Sequence, residues 1–556
     1  MLREFNLNAK ESVLLTHGDS IDQVATEFKV IARSGGAVAG ISSDQLKIYG
    51  LQFHPEVDLT TCGLQILKNF LITIAGCQQT YTLRNRQQQC MNEICNTVKD
   101  KKVLMLCSGG VDSTVCAALL TRALGKDRVK AVLIDNGFMR RNEATLVHDS
   151  LKAIGLHVEV RYMGYVFYYA TTELHTDTMG CITTESLCQT TDPEIKRRII
   201  GDTFMRVVKE TLGHSSIGQG DMFLAQGTLR PDLIESASSL ASANADAIKT
   251  HHNDTELVRK FRSHGRLIEI LKDFHKDEVR ALGVELGLPD SIINRHPFPG
   301  PGLAVRILCC VEPFRCKDFN DTQTLLRAVA QLYAFIQREN HITEKIRHCL
   351  SEAEYEWLYH CTKNVQLNAT LLPIRTVGVQ GDHRSYSYVA AVSSNCSSVP
   401  WGHMLRLAKV IPKVLHKINR VVYVIGPIVE HPVHDVTPTF LTSLPIAVAR
   451  EADFVAHEVL LKRNLTNAIS QMPVVLIPVH FDRPVESSDH PSILWSVCLR
   501  PFITKDFMTG VPAEPGKDIP SDVPNSLADS VLKKVPFLSR VVYDLTPKPP
   551  GTVEWE

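Results

Sequence analysis

From Val103 onward the chain alternates short apolar runs, VLML at 103–106 and VKAVLID at 129–135, with longer stretches of helical periodicity, DSTVCAALLTRAL and NEATLVHDSLKAIG. Strands that are apolar throughout must be covered on both faces, so the pattern predicts repeated βα units and a doubly wound parallel sheet, an α/β fold class. The first junction reads LCSGGVDSTVC at 106–116. Two adjacent glycines there cost backbone entropy. The loop falls at the carboxyl end of a strand, where such folds bind ligands.

Glycines without β-carbons let backbone N–H groups close around phosphate oxygens, and the following helix adds partial positive charge. Ser108, Gly109, Gly110, Val111, Asp112, Ser113 and Thr114 therefore form a candidate anion cradle, with hydroxyl donors from Ser108, Ser113 and Thr114. The spacing is neither G-x-x-x-x-G-K-[ST] nor G-x-G-x-x-G. A plain glycine turn capping a helix is the competing reading. Asp112 speaks against it: a carboxylate facing a phosphate is repulsive unless a cation lies between, which assigns Asp112 to Mg²⁺ carried on a nucleoside triphosphate.

Elsewhere, FKVIARSGGAVAGISSDQLKIYGLQFHPEV at 28–57 predicts three short strands broken by SGG and SSD turns, and a helix-like stretch follows over Leu64 to Ala75. A boundary is expected near 77–82. Beyond HPFPGPGLAVR at 296–306 the text repeats itself. LLPIRTVGV at 371 leads to NRVVYVIG at 419, and VVLIPVHFD at 474 leads to SRVVYDLT at 539. Two such α+β modules suit pairing with each other or with a second subunit. The expected domains are 1–78, 79–303 and 304–556.

Lysine plus arginine equals aspartate plus glutamate at 60 each, which removes the broad attraction expected of a nucleic-acid or anionic-membrane binder. Any anion site must be local. The fifteen cysteines form no C-x-x-C pair, the first residues lack an apolar signal core, and no apolar run approaches the ~18 residues needed to cross a bilayer. The expectation is a reduced, soluble, cytosolic protein.

SGGVDS resembles the pyrophosphate loop of the N-type ATP pyrophosphatases, and VLIDNGFMRR is similar to their second strand end. Asp135 there reads equally as a ribose contact or as a turn-stabilising side chain. FLAQGTLRPDLIES at 223–236, KTHHN at 249–253, RHPFPGPGLAVR at 295–306 and KPPGTVEWE at 548–556 narrow the resemblance to the GMP synthase family, in its longer eukaryotic form and over nearly the whole chain. A sister activity such as NAD synthetase is opposed by the tail and the HPFPGPG stretch. The resemblance implies ATP and Mg²⁺ as cofactors. The partners it implies are xanthosine 5′-monophosphate (XMP), ATP and glutamine or ammonia, with a homodimer left open and no nucleic acid or membrane required. Such enzymes adenylate the 2-oxygen of XMP, and ammonia then displaces AMP to give GMP.

The family's XMP-contacting positions fall on Arg197, Asp382, Gln471, Lys548, Val553 and Glu554. Arg197 and Lys548 would meet the phosphate, and Asp382 and Glu554 would accept from ribose hydroxyls or purine N–H groups. Taken singly, each polar residue would read as solvated surface. HPFPGPG reads either as an interdomain linker or as part of the synthetase core, and KTHHN as a flap near the nucleotide rather than a zinc site.

YGLQFHPEV at 49–57 resembles the histidine and glutamate of a class I glutamine amidotransferase triad, with His54 and Glu56 two apart and on one side of the chain. A strand-end histidine beside a surface carboxylate is the plainer reading. The triad's cysteine belongs on a sharp strand-to-helix turn, yet the first cysteine is Cys62, behind His54. The expectation is an N-terminally incomplete amidotransferase domain, an ammonia-dependent synthetase, and His54 and Glu56 without a nucleophile. The alternative is a non-catalytic scaffold retaining the synthetase fold.

Overall fold

The computed structural model describes all residues except 1–9, 16–18, 81, 154, 177–179, 213–221, 231–260, 338–341, 381–382, 484–489 and 505–508. Near the front, β1 (Lys29–Ser34), β2 (Ala37–Ser43) and β3 (Ile48–Leu51) form an antiparallel sheet in that order. The SGG turn works because Gly35 takes φ +59°, a conformation a side chain disfavours. Helix α1 (Gly63–Lys68) runs on into a π-helical turn and packs Ile66 against Ala39 and Phe53. Coil at 76–80 follows before α2 (Leu83–Val98), whose Thr82 cap accepts from the Asn85 N–H.

The expected parallel sheet follows. Its strands are β4 (Lys102–Cys107), β5 (Val129–Asp135), β6 (Val158–Tyr162), β7 (Met222–Ala225) and β8 (Leu267–Ile268), in the order β8-β7-β4-β5-β6 with every pair parallel. Helices α3 (Val111–Leu124), α4 (Glu143–Ala153) and α6 (Lys276–Glu285) cover one face together with α2, and α5 (Pro193–Leu212) covers the other. Alternate residues divide accordingly: Val103 and Met105 join the α2–α3–α6 core, whereas Leu104 joins the opposite one. Strand order reverses at β4, because β5 continues to one side and β7 to the other. The glycine loop therefore leaves the sheet at its topological switch point.

The repeated text becomes one six-stranded sheet. Its strands β9 (Leu367–Gln380), β10 (His383–Ser394), β11 (Ile418–Val424), β12 (Val474–Ile477), β13 (Trp495–Leu499) and β14 (Leu538–Asp544) are ordered β9-β10-β11-β14-β13-β12. Each half is an antiparallel hairpin followed by a helix, α7 (Trp401–Val414) or α9 (Val523–Lys534), and a strand parallel to the hairpin's second arm. The two R-V-V-Y strands meet antiparallel at the centre, Tyr423 opposite Tyr543, and both rings pack on Trp401. The halves thus pair with each other. Helix α8 (Ser443–Lys462) links them and docks on the parallel-sheet unit, where Arg450 donates to the carbonyls of Met139 (2.9 Å) and Gly137 (2.5 Å).

Candidate active site

Gly109 and Gly110 have different jobs. Gly109 takes φ +79°, and a β-carbon on it would lie 2.6 Å from the Val147 side chain, so packing alone demands glycine there. Gly110 has φ −73°, and a β-carbon on it would meet nothing closer than Ser108 Oγ at 3.5 Å. Its open side faces a cavity of about 290 Å³ lined by residues 106–113, Asn136, Glu143, Gln226, Lys276 and Arg295 through Gly300. Gly227 packs against the start of α3, since a β-carbon on it would lie 3.0 Å from the Ser113 backbone nitrogen.

The loop's hydroxyls are largely committed to the fold. Thr114 is buried and donates to the Gly110 carbonyl at 2.9 Å, and Ser113 donates to the same carbonyl at 3.1 Å while accepting from the Ser108 N–H. The expectation of Thr114 as a ligand donor is therefore corrected: its hydroxyl closes the first turn of α3. Ser108 is the exposed one. Val111 buries its side chain in the core and offers only its backbone. The first regular helical bond is that of the Thr114 N–H to the Gly110 carbonyl at 3.2 Å, so the amino-terminal turn of α3 opens at the glycine loop.

Positive charge is supplied by two residues that the sequence does not single out. Lys276, opening α6, lies 3.5 Å from the Asp112 carboxylate, and Arg295 donates to the Gly109 carbonyl at 3.0 Å while pairing with buried Glu143. Burial pulls the Arg280 guanidinium below its ordinary range while Asp112 opposes that shift. The HPFPGPG stretch proves to be core rather than linker. Gly302, at φ +70°, rides on the Phe138 carbonyl with no room for a side chain, and Asn136 donates to the Gly300 carbonyl. Asp135 accepts the Gly137 N–H at 2.8 Å, the turn-stabilising alternative, and does not line the cavity.

The carboxyl-terminal tail forms a second cluster. Trp555 is fully buried and donates to Asp544 at 3.0 Å, and Lys196, also fully buried, pairs with Glu556. Lys548 exchanges backbone bonds with Gly510, Gln471 does so with Phe502, and Gly510 packs directly on the Phe502 ring, which links the two segments. Arg197 reaches from α5 to the Glu556 carbonyl and bonds Glu194, which also accepts from Arg384 and Tyr386. Val553 is half-buried beside them. Glu554 differs from expectation: its carboxylate is held by both arms of Arg306, at 3.1 and 3.0 Å, because a buried guanidinium needs a partner. Asp382 and KTHHN lie outside the described residues, as does the end of the 223–236 stretch.

At the front, His54 Nδ1 and Glu56 Oε1 stand 2.9 Å apart, and the HPEV turn is packed so closely that a β-carbon on Gly63 would overlap the Pro55 carbonyl. Cys62 caps α1, and burial together with the charge of Glu11 pushes its thiol up, the reverse of an activated nucleophile.

Three family models match: glutamine amidotransferase class-I over residues 3–74, NAD synthase over 83–179, and the GMP synthase C terminal domain over 356–428 and 458–555. They fall on the front sheet, the glycine-loop sheet and the doubled sheet. A probable GMP synthase [glutamine-hydrolyzing] of Caenorhabditis elegans is 47% identical over 99% of this chain and 76% of its own length. The GMP synthase [glutamine-hydrolyzing] of Dictyostelium discoideum is 46% identical over the same shares, and a probable one of Leptospira interrogans is 34% identical over 99% of this chain and 80% of its own. Since those alignments run through the glycine loop, the HPFPGPG wall and the buried tail alike, the chain belongs to the GMP synthase family.

Proposed function

We propose that this chain converts XMP to GMP in two steps. The C2 oxygen of XMP attacks the α-phosphorus of ATP; the bond to the bridging oxygen breaks and pyrophosphate leaves. Ammonia then adds at C2, the C2–O bond breaks, and AMP departs with that electron pair while the nitrogen gives up a proton to solvent. The observation that carries this reading is the open side of Gly110, where a polyphosphate can approach the backbone between Lys276 and Arg295. The positive end of α3 faces the phosphates, and the two cations balance charge. Of the two carboxylates at the cavity wall Glu143 is held by Arg295, which leaves Asp112, too little for a resident ion but a fit for Mg²⁺ arriving on a triphosphate. When bound, that ion would neutralise the charge on the departing pyrophosphate. All fifteen cysteines are free thiols, in keeping with a reducing cytosol.

The test is AMP release from ATP with XMP and ammonium. Turnover is expected in the wild type and a loss of roughly a hundredfold or more in Asp112→Asn, the scale of a lost charge stabiliser in an active site. Equal turnover in both would remove Asp112 from the chemistry.

XMP is assigned to the tail, with Lys548 and Arg197 on its phosphate, and Gln471, Val553, Glu554 and Asp382 on the nucleoside. Lys548→Ala should weaken XMP binding by roughly 1.5 to 3 kcal/mol, the value of a charge-assisted hydrogen bond, and leave ATP binding unchanged in titration calorimetry. A matching loss for ATP would point to unfolding of the tail instead.

A further inference from the structure

The glycine loop and the tail are joined by side chains of alternating charge, of which Glu143, Asp453 and Arg306 are buried. Arg295, on the Gly109 carbonyl, pairs with Glu143; Glu143 accepts the Arg140 backbone N–H at 3.0 Å; the Arg140 side chain meets Asp453 at 3.0 Å. Asp453 meets Arg306 at 3.6 Å, and Arg306 grips Glu554. Phe298 from the cavity wall lies between the two inner arginines, its ring centre 4.5 Å from one guanidinium carbon and 4.9 Å from the other. Asp453 is 2% exposed on α8, so it carries its charge where water cannot screen it. Burial works against that charge, but Arg140, His457 and Arg306 together hold the carboxyl below the usual carboxylate range.

Three cations and three anions make the series neutral. A polyphosphate in the cavity takes up the charge of Arg295, which leaves Glu143 in excess. Arg140 is drawn toward Glu143, Arg306 toward Asp453, and the grip on Glu554 loosens. We propose that this series couples the two nucleotide sites, with Asp453 as the positioning residue, so that ATP in the glycine loop frees Glu554 from Arg306 and raises the affinity for XMP. The inference rests on the reading of Glu554 as an XMP contact.

Titration calorimetry on the full chain tests it, with XMP measured alone and in the presence of a saturating non-hydrolysable ATP analogue. The analogue is expected to tighten XMP roughly five- to hundredfold, and XMP must tighten the analogue by the same factor. In Asp453→Asn the factor should fall to within about twofold of unity with analogue binding otherwise retained, and Asp453→Glu should recover part of it. Should Asp453→Asn fail to melt cooperatively, Arg306→Lys decides, since it keeps the charge but loses the two-pronged grip. A folded Asp453→Asn or Arg306→Lys protein with the full coupling factor overturns the proposal. So does a wild type that binds both ligands without mutual effect, and the reading of the function would then stand. A wild type that binds the analogue but not XMP overturns both.

Discussion

Gly110→Ala is expected to lower AMP-forming turnover by roughly a hundredfold or more, while the protein still folds. The backbone at 110 already has a φ any residue adopts, and the added methyl meets only Ser108 Oγ at van der Waals distance. As the residue preceding the first helical position it costs at most about 0.5–1 kcal/mol of capping. The methyl instead fills the space where phosphate oxygens must reach the amino-terminal backbone of α3. Gly109→Ala provides the contrast: positive φ and a 2.6 Å approach to Val147 make it a folding defect, visible as a lowered melting temperature before any question of turnover. Melting curves and AMP release on both variants separate the two roles. Full activity in a well-folded Gly110→Ala protein would end the cradle assignment.

The second large effect is on the nitrogen source. GMP should form with ammonium salts and rise with pH, by about tenfold per unit while the pH stays below the ammonium pKa, because only free NH₃ has the lone pair to attack C2. Glutamine should give essentially none. Glutamine use needs a thiolate beside the imidazole of His54, which Glu56 orients at 2.9 Å, and residues 1–61 hold no cysteine to supply one. Burial and the charge of Glu11 push the Cys62 thiol up, which works against its serving as the nucleophile. Cys62→Ser should therefore change neither rate. Glutamine-dependent GMP that disappears in Cys62→Ser would overturn this reading.

The sheet carrying the glycine loop was legible because its strands are apolar on both faces and its helices follow the 3.6-residue period, both local signals. The R-V-V-Y repeat was legible as repetition, but not as one sheet, because pairing partners lie far apart in sequence. Arg295 was within a quoted stretch without standing out, and Lys276 and Asp453 had no signal at all: a charged residue on a helix reads as solvated until another element covers it. Glu554 was marked as a nucleotide contact, while the partner that holds it, Arg306, came only from packing.

By itself the sequence determined the βα rhythm, the placement of the glycine loop at a strand end, the His54–Glu56 pair and the doubling of the last third, each a matter of neighbours in the chain. Tertiary structure alone decided which glycine serves the fold and which the cavity, that HPFPGPG is a wall rather than a linker, and that Arg140, Asp453, Arg306 and Glu554 form one series of charges around buried Asp453 and Arg306. The physical reason is that burial sets the strength of a charge and the room beside a backbone, and burial depends on elements that the chain brings together only when it folds.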